Sequence, residues 1–435
     1  MALCPKKTPF PLPQSLSLSS FLAPSKSMST KCSNSELLNR NWMLSNPAAQ
    51  IHKISLSNSP SLSYSINPNP ILPPRFNQEE SKGSSFYVVR DDLLHPLING
   101  NKARKLDALI PMLQNHSIND VVTCGGCQSA HTAALAVCCA ERGMRSHLLL
   151  RGEQPEIATG YNLVSLMYGN VKYVARSKYA QREEMLTEHA NLVSCDGGCV
   201  IHVDDILASD SGDTSLKLDC SMHIPPQVKS EIGVRRVVIV SEGAGDAIAL
   251  LGLIRFVKYL SQPHVFGKEQ NINLVVDAGT GTTAIGLALG ALYFGLPWKV
   301  TAIMLADTIE KYKEKERWLI SDFRRIYQSE FLGQTVGEAG DSIVQWVERS
   351  HPRKFGKVLK GEIQLCRKIS QETGILLDPV YTLAAWEQAI LSLAEVEDSK
   401  VVMLHTGGTL GLFGLAQRYT SDFHPRDQTF DILSN

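Results

Sequence analysis

The fold is decided by residues 273–283, which read N-L-V-V-D-A-G-T-G-T-T. The apolar run that ends at Asp277 predicts a buried strand, and the apolar residues after Thr283 predict a helix. A buried strand that leads through a glycine turn into a helix is the repeating unit of parallel α/β sheets. Glycines let a ligand approach the backbone, and the N–H groups at a helix start attract anions. Residues 279–283 are therefore a candidate phosphate loop.

Two other readings of this loop stay open. It lacks the lysine of a Walker loop and the full G-x-G-x-x-G spacing, so a nucleotide site fits it less well. It could also be no more than a tight turn between a strand and a helix.

Strands and helices alternate on both sides of this loop, which predicts an α/β fold with parallel sheets covered on both faces. Leu106, Leu109 and Leu113 share one face of a predicted helix, and Pro111 is expected to kink or break it. Residues 204–233 are rich in Asp, Ser, Gly and Pro and are interpreted as a surface insertion. Further strands are predicted at 86–89, 120–123, 146–150, 171–174, 236–240, 300–304 and 401–404.

Overall composition excludes several classes of protein. The 435 residues are 43% hydrophobic and carry 43 basic and 43 acidic side chains. A zero charge balance argues against nucleic-acid binding. No apolar run reaches the roughly 18 residues of a membrane span, so no membrane association is expected. Ten cysteines are too few for a disulfide scaffold of this length.

The beginning of the chain has a different composition. Residues 1–78 contain 16 Ser, 11 Pro, seven Lys or Arg and one acid, Glu36. A Ser-rich, basic and acid-poor leader is typical of an organelle transit peptide, and a plain disordered tail is the alternative. We expect a leader at 1–75 that directs the protein to the mitochondrion, with the plastid as the alternative.

A second motif, N-G-N-K-A-R-K at residues 99–105, opens a predicted helix. Three cations lie within four residues, and crowding with burial would favour a neutral amine, so one lysine could be a nucleophile. The alternative is a solvated, basic helix start.

A third motif, T-C-G-G-C-Q-S-A-H at residues 123–131, again joins a strand to a helix. Cys124 and Cys127 form a C-x-x-C pair, but no second pair follows at zinc spacing, so buried structural cysteines are favoured over a metal or redox site. Ser129 stands where helix N–H groups could hold a carboxylate. His131 is either a general base or a structural histidine.

Taken together, five ordered motifs between residues 79 and 420 resemble the pyridoxal-phosphate enzymes that include 1-aminocyclopropane-1-carboxylate deaminase and D-cysteine desulfhydrase. The resemblance implies a tryptophan-synthase-β-like fold (fold type II) of two doubly wound parallel-sheet domains with the cofactor between them. It assigns 76–107 and 241–435 to a large domain and 108–240 to a small one. It also implies a homodimer with a small amino-acid substrate. The motifs are N-G-N-K-A-R-K-L-D, C-G-G-C-Q-S-A-H-T, D-A-G-T-G-T-T-A, L-L-D-P-V-Y-T and H-T-G-G-T-L-G-L-F-G.

The resemblance also assigns roles to single residues. Lys102 matches the lysine that forms a Schiff base with pyridoxal 5'-phosphate, and Asn101 would face the ring oxygen of the cofactor. Ser129 matches an active-site serine, and Tyr381 matches a tyrosine beside the cofactor ring. Lys105 would reach the phosphate, which would be held by Gly279, Thr280, Gly281, Thr282 and Thr283.

Two positions separate the branches of this family. The deaminase branch has a glutamate and a leucine where this chain has Thr382 and Thr406. A neutral hydroxyl near the pyridine nitrogen suits a substrate with a good leaving group, whereas opening a cyclopropane needs a stronger electron sink. The resemblance therefore implies a carbon–sulfur lyase that converts cysteine, D-cysteine above all, to sulfide, pyruvate and ammonia. The alternatives are 1-aminocyclopropane-1-carboxylate deaminase and a non-catalytic cofactor-binding protein.

The chain also departs from the family pattern. Ala130 replaces an asparagine that commonly helps to hold the substrate carboxylate, and Phe355 falls where a tyrosine is usual. These departures leave cofactor binding intact but bear on the identity of the substrate.

Overall fold

Two separate β-sheets organise the computed structural model of the chain. The structure describes residues 37–57, 62–68, 84–98, 100–195, 197–210, 234–327, 342–395 and 398–424. In this part of the chain the strands are β1 (Gln50–Ser57), β2 (Ser63–Asn67), β3 (Ser85–Arg90), β4 (Asp120–Gly126), β5 (Arg145–Arg151), β6 (Asn170–Val174), β7 (Cys199–His202), β8 (Arg236–Ile239), β9 (Ile272–Ala278), β10 (Trp298–Met304), β11 (Gln345–Glu348) and β12 (Lys400–His405).

The helices cover both sheets, as the alternating pattern predicts. A 3-10 turn lies at Asp91–Leu93. The α-helices of the described residues are α1 (Lys102–Asn115), α2 (Ala130–Ala140), α3 (Gly160–Tyr168), α4 (Arg176–Tyr179), α5 (Arg182–Ser194), α6 (Val203–Asp210), α7 (Ala249–Leu260), α8 (Thr282–Tyr293), α9 (Ile309–Ile326), α10 (Glu362–Thr373), α11 (Thr382–Glu395), α12 (Gly411–Arg418) and α13 (Thr420–Phe423).

The larger sheet has seven strands in the order β11-β10-β9-β12-β3-β1-β2. Strands β11, β10, β9, β12 and β3 run parallel, and β1 pairs antiparallel with both β3 and β2. Every residue of β9 is buried, in agreement with the apolar run from Leu274 to Val276 at its centre. Helix α8, which follows β9, contains no charged residue and is buried on every side except at Leu292. The decisive stretch of sequence thus lies at the centre of the core.

The smaller sheet has five strands in the order β6-β5-β4-β8-β7, and all of them run parallel. Strand β4 is central and leads directly into the glycine turn before α2. Because the ends of parallel strands share one edge, the loops after β4 and β8 lie side by side. None of the described helices is long and apolar enough to cross a membrane.

Residues 37–57 and 62–68 are folded, so the expected leader boundary at residue 75 is wrong. Strands β1 and β2 extend the larger sheet, and Leu37, Ile51 and Ile54 are buried in hydrophobic cores. The serine-rich composition concealed these strands because serine occupies many of their more exposed positions. Residues 1–36, where the rest of the expected leader falls, lie outside the described residues.

Pro111 lies inside α1 without ending it, so of the two expected effects, a kink or a break, the break is wrong. A proline has no N–H, and the carbonyl of Asp107 therefore loses its usual donor within the helix. The N–H of Met43 donates to that carbonyl at 2.8 Å, and the N–H of Leu44 donates to the Asp107 carboxylate at 2.7 Å. The N-terminal segment thus supplies the hydrogen bond that the proline removes.

The predicted start of the surface insertion, at residue 204, is wrong. Its first residues form α6, where Ile206 and Leu207 are buried in the core. Residues 204–210 are therefore part of the fold rather than of an insertion. Residues 211–233 lie outside the described part of the chain.

A buried carboxylate links three neighbouring strands of the smaller sheet, β5, β4 and β8, at the end where they begin. Asp120 is fully buried at the start of β4, and it accepts paired hydrogen bonds from Arg145 and Arg235 and one from His147. We expect Asp120→Asn to lower the free energy of unfolding by about 2–4 kcal/mol, because two guanidinium groups lose their charged acceptor. Urea unfolding measures this, with Asp307→Asn in an exposed ion pair as the control. A similar loss in both variants would contradict the role of Asp120.

Candidate active site

The candidate phosphate loop lies between β9 and α8 and has the conformation that an anion needs. Gly281 precedes α8 with φ +80°, a left-handed conformation that favours glycine. Thr282 and Thr283 begin the helix and are buried, and the hydroxyl oxygens of Thr280 and Thr282 lie 3.2 Å apart. Backbone N–H groups and three hydroxyls therefore converge at the start of an apolar helix.

Tyr312 on α9 supports this loop from behind. Its hydroxyl lies 2.6 Å from the carbonyl of Ala278 and accepts a hydrogen bond from the N–H of Ala306 at 3.2 Å. Its ring stacks on Trp346 with centroids 4.8 Å apart. No sequence pattern points to Tyr312, because a lone tyrosine on an amphipathic helix is indistinguishable from a core residue.

Lys105 places a buried cation beside the loop. Its Nζ donates to the carbonyl of Gly243 at 3.0 Å and to Thr280 Oγ1 at 3.4 Å. Within the described residues no carboxylate forms an ion pair with it. Burial, Lys102 and Lys315 together hold the pKa of Lys105 well below its ordinary value. A phosphate in the loop would supply the missing counter-charge.

Lys102 is the first residue of α1, one helical turn before Lys105. Burial lowers the pKa of its amine, although Asp277 opposes that shift. A lowered pKa increases the share of neutral amine, which is the form that attacks a carbonyl carbon. Of the two readings of this basic motif, a reactive lysine therefore fits the structure better than a solvated helix start.

Asn101 connects α1 to two neighbouring loops. Its side-chain nitrogen donates to Thr283 Oγ1 at 2.8 Å, and its backbone N–H donates to the carbonyl of Thr406 at 3.1 Å. The start of α1 is thereby fixed against the start of α8 and the end of β12. One amide N–H of Asn101 remains for a ligand, so a role facing the cofactor ring stays a prediction.

Ser129 caps α2 and keeps its proton for a ligand. Its Oγ accepts the N–H of Thr132 at 3.3 Å, which leaves its own O–H as a donor. A Cβ on Gly125 would lie 2.6 Å from that Oγ, so only glycine allows this approach. A hydroxyl donor at a helix N-terminus suits a substrate carboxylate.

Thr123 and His131 of the same motif bond to each other, whereas Nδ1 of His131 has no partner among the described residues. Thr123 donates to the carbonyl of Val240 at 2.8 Å, so its oxygen accepts from His131 Nε2 at 3.0 Å. Burial and the two nearby lysines hold the pKa of His131 well below its ordinary value, which makes it neutral. Cys124 and Cys127 are free, and burial raises the pKa of Cys124 to about 11. Packing explains Cys124, whereas Cys127 is only partly buried and donates to the carbonyl of Arg151.

Tyr381 lies next to the phosphate loop. A Cβ on Gly279 would be 3.5 Å from its Cε1, and its ring meets Phe355 edge-on at 5.7 Å. Burial and the charges of Asp378 and Asp277 raise the pKa of the Tyr381 phenol, so it carries its proton. Arg349, another residue without a sequence signal, holds the preceding turn through the carbonyl of Pro379 at 3.0 Å.

The two threonines that separate the branches of the family each contact an aspartate. Thr382 begins α11, is fully buried and donates to Asp378 Oδ2 at 2.9 Å. Thr406 follows β12 and donates to Asp277 Oδ1. Neither aspartate was singled out from the sequence, although each stands within a quoted motif.

Gly100 allows the start of α1 to approach the end of β12. It has φ +101°, and a Cβ there would lie 1.9 Å from the carbonyl oxygen of Thr406. We expect Gly100→Ala to lower the free energy of unfolding by about 2–5 kcal/mol through backbone strain and overpacking. It should also weaken cofactor binding, because Asn101 and Lys102 must move.

Gly143→Ala is the matched control for this prediction. Gly143 also has a positive φ, of +71°, but no atom lies within 4 Å of the added Cβ. It should cost only about 1–2 kcal/mol of backbone strain. Chemical unfolding and cofactor titration measure both effects, and equal losses in the two variants would show that the close approach is unimportant.

Known proteins resemble this chain over most of its length, although no family model matches it. A protein of rice, Oryza sativa subsp. japonica, with the provisional name mitochondrial D-cysteine desulfhydrase 2 is 56% identical over 397 residues, 89% of this chain and 95% of the rice protein. A mitochondrial bifunctional D-cysteine desulfhydrase/1-aminocyclopropane-1-carboxylate deaminase of Arabidopsis thaliana is 22% identical over 78% of this chain and 76% of its own length. The solved structure of an ACC deaminase homologue has a TM-score of 0.59 at 24% identity and covers 78% of this chain and 89% of its own.

The parallel sheets and the architecture of the solved relative define the class, which is the tryptophan-synthase-β-like fold of type II pyridoxal-phosphate enzymes. Within that class, the extent of identity to the rice protein is decisive. The chain belongs to the family of D-cysteine desulfhydrases and 1-aminocyclopropane-1-carboxylate deaminases.

Pyridoxal 5'-phosphate is the cofactor of this family, and the residues of this chain fit it. Lys105 is a buried cation beside an anion-binding helix start, and its nearest carboxylates form no ion pair with it in the described residues. Lys102 offers an amine of lowered pKa one turn away. Both a phosphate cradle and a lysine for the cofactor aldehyde are therefore present.

Proposed function

We propose that this protein is a pyridoxal-phosphate-dependent carbon–sulfur lyase that converts cysteine and water to hydrogen sulfide, pyruvate and ammonia, with D-cysteine favoured and L-cysteine as a second substrate. The observation that carries the proposal is the arrangement of Lys102 beside Lys105 and the phosphate loop in a chain 56% identical to a protein named as a D-cysteine desulfhydrase. The non-catalytic alternative lacks such support, because the amine and its surroundings are intact.

Each residue of the site would have a separate role in this reaction. Pyridoxal phosphate, when bound, withdraws electrons from the α-carbon of an amino acid and so acidifies its proton. The amine of Lys102 would accept that proton, and the start of α2 with the Ser129 hydroxyl would hold the carboxylate. Lys105 and residues 279–283 would hold the phosphate, with Asn101 and Tyr381 at the ring. Sulfide leaves from the β-carbon without needing a strong acid.

A comparison of three substrates tests the activity. The full chain and Lys102→Ala are each supplied with D-cysteine, L-cysteine and 1-aminocyclopropane-1-carboxylate, and sulfide, pyruvate and 2-oxobutyrate are measured. We expect equal amounts of sulfide and pyruvate from D-cysteine, and at least about a thousandfold less of both from the variant. Release of 2-oxobutyrate as the main product would favour the deaminase, and turnover of none of the three would favour the non-catalytic alternative.

The presence of two separate sheets supports a division of the chain into two domains. We propose a large domain built on the seven-stranded sheet, 76–107 with 241–435, and a small domain of 108–240. Residues 37–57 and 62–67 contribute two strands to the larger sheet and would belong to the large domain. The substrate would enter between them, where the starts of α1, α2 and α8 meet.

We also propose that residues 1–36 direct the protein to the mitochondrion. Their basic, acid-poor composition supports an organelle signal, and the rice relative carries a mitochondrial name. A fluorescent protein fused behind residues 1–36 should enter mitochondria. Import into plastids instead would overturn the assignment.

A homodimer is proposed on the basis of family membership and of an exposed apolar face. Leu163, Leu166 and Met167 on α3 and Phe413 on α12 are exposed large apolar side chains on helices that touch. Met167→Glu should convert the dimer to monomers in sedimentation, whereas Leu192→Glu, at an equally exposed residue of α5, should leave it intact. A wild-type chain that sediments as a monomer would contradict the proposal.

A further inference from the structure

The hydroxyl of Thr406 is oriented by two neighbours. Its proton is donated to Asp277 Oδ1, and its backbone carbonyl is held by the N–H of Asn101. Among the described residues no donor approaches Thr406 Oγ1. This oxygen therefore presents lone pairs, and not a proton, to whatever lies on its free side.

Thr382 differs from Thr406 in this respect. Its hydroxyl donates to Asp378 Oδ2 at 2.9 Å and accepts the N–H of Asp378 at 2.8 Å. It is fully buried, and both of its hydrogen-bonding roles serve the turn that opens α11. Sequence comparison gives the two threonines equal weight, whereas among the described residues Thr382 already accepts one hydrogen bond and Thr406 accepts none.

We propose that Asp277 acts through Thr406 as a positioning residue that keeps the ring nitrogen of bound pyridoxal phosphate protonated. The inference rests on the proposed function, since it takes the cofactor ring to lie beside the threonines. A hydroxyl whose own proton is committed to a carboxylate can form a second bond only by accepting, and a pyridine nitrogen can donate only when it carries a proton.

The charges around Asp277 are consistent with this role. Lys102 and Lys105 favour its carboxylate form, whereas burial and Asp378 raise its pKa to about 7, and the protonated Tyr381 also lies close to it. Asp277 and the ring nitrogen of the bound cofactor would share one proton through the Thr406 hydroxyl. If the ring nitrogen holds it, Asp277 is ionised; if Asp277 holds it, the ring is neutral, and the total charge is the same.

Asp277 changes the effect that the two threonines are expected to have on the electron-withdrawing strength of the cofactor ring. The sequence suggests that a neutral hydroxyl replaces the carboxylate of the deaminase branch and weakens the electron sink. With Asp277 behind Thr406, a carboxylate acts on the ring through one hydroxyl. The ring would then remain a strong electron acceptor, which a residue-by-residue comparison of the two positions overlooks.

Nitrogen-15 NMR of protein loaded with ring-labelled pyridoxal phosphate tests the inference directly. The wild type and Thr406→Ser should show a protonated ring nitrogen. Asp277→Asn, which keeps the shape of the acceptor but removes its charge, and Thr406→Val, which removes the hydroxyl, should show an unprotonated one at the same pH. An unprotonated ring in the wild type, or a protonated ring in Asp277→Asn and Thr406→Val, would overturn the proposal.

A binding measurement gives a second readout that is independent of turnover. The apo-protein is titrated with pyridoxal phosphate and with an analogue in which carbon replaces the ring nitrogen. The wild type should prefer the natural cofactor by about ten- to a hundredfold, the worth of one charged hydrogen bond, and Asp277→Asn should lose most of that preference. Equal preference in both would overturn the proposal, whereas failure to split D-cysteine with these results intact would count only against the proposed function.

Discussion

Replacing Lys102 by alanine is expected to remove the visible absorption of lysine-bound pyridoxal phosphate and to lower sulfide release from D-cysteine by at least about a thousandfold. The reason is that this one amine is proposed both to bind the cofactor aldehyde and to accept the substrate proton. Its lowered pKa makes it suited to both tasks. Absorption spectra and initial rates of sulfide release measure the two effects.

Two further lysine variants make this result specific. Lys105→Met should retain Lys102 chemistry but need more cofactor to reach saturation, because the phosphate loses a cation. Lys311→Ala, on the exposed face of α9, should change neither quantity. A Lys102→Ala protein that keeps its visible band and its activity would refute the assignment of the amine.

Removing residues 1–75 should abolish folding, whereas removing residues 1–36 should leave a stable protein that binds the cofactor. The longer deletion removes β1 and β2 and the buried side chains of Leu37, Ile51, Ile54 and Tyr64. At about 1.5–3 kcal/mol each, their burial is comparable with the whole stability of a typical domain, about 5–15 kcal/mol. It also removes Met43, whose N–H replaces the bond that Pro111 denies to α1.

Soluble yield, circular dichroism and cofactor titration of the two truncated chains measure this difference. Because α1 carries Lys102 and Lys105, loss of its support should be visible in cofactor binding even if some protein remains soluble. A chain beginning at residue 76 with normal stability and cofactor affinity would show that the N-terminal strands are dispensable.

Much of the fold could be predicted because its decisive signals are local. An apolar run, a glycine turn and an apolar helix around residues 273–283 indicate a parallel sheet without any knowledge of the partners. The strands β1 and β2 escaped prediction because they are antiparallel strands at one side of the sheet, with β2 at its edge, and their outer faces are polar. Their serines read as disordered leader, and only pairing with β3 reveals them.

Some residues of the candidate site could likewise be predicted from local sequence, whereas others could not. Lys102, Ser129 and the phosphate loop stand at helix starts with recognisable residue types, and the structure brings them to the adjoining ends of the two sheets. Asp277 acts through its contact with Thr406, which lies 129 positions away in the chain. Tyr312 acts through its contact with Ala278, 34 positions away. No spacing rule links such distant residues, so their roles had to come from the folded arrangement.

The central claim, that Lys102 carries the cofactor, is tested most directly by locating the bound pyridoxal group. The full-length protein is loaded with pyridoxal phosphate and reduced with borohydride, which fixes the group to the lysine that holds it. Digestion and mass spectrometry then identify the modified peptide. The label is expected on Lys102, and its presence on Lys105 or Lys315, or its absence from the protein, would contradict the account.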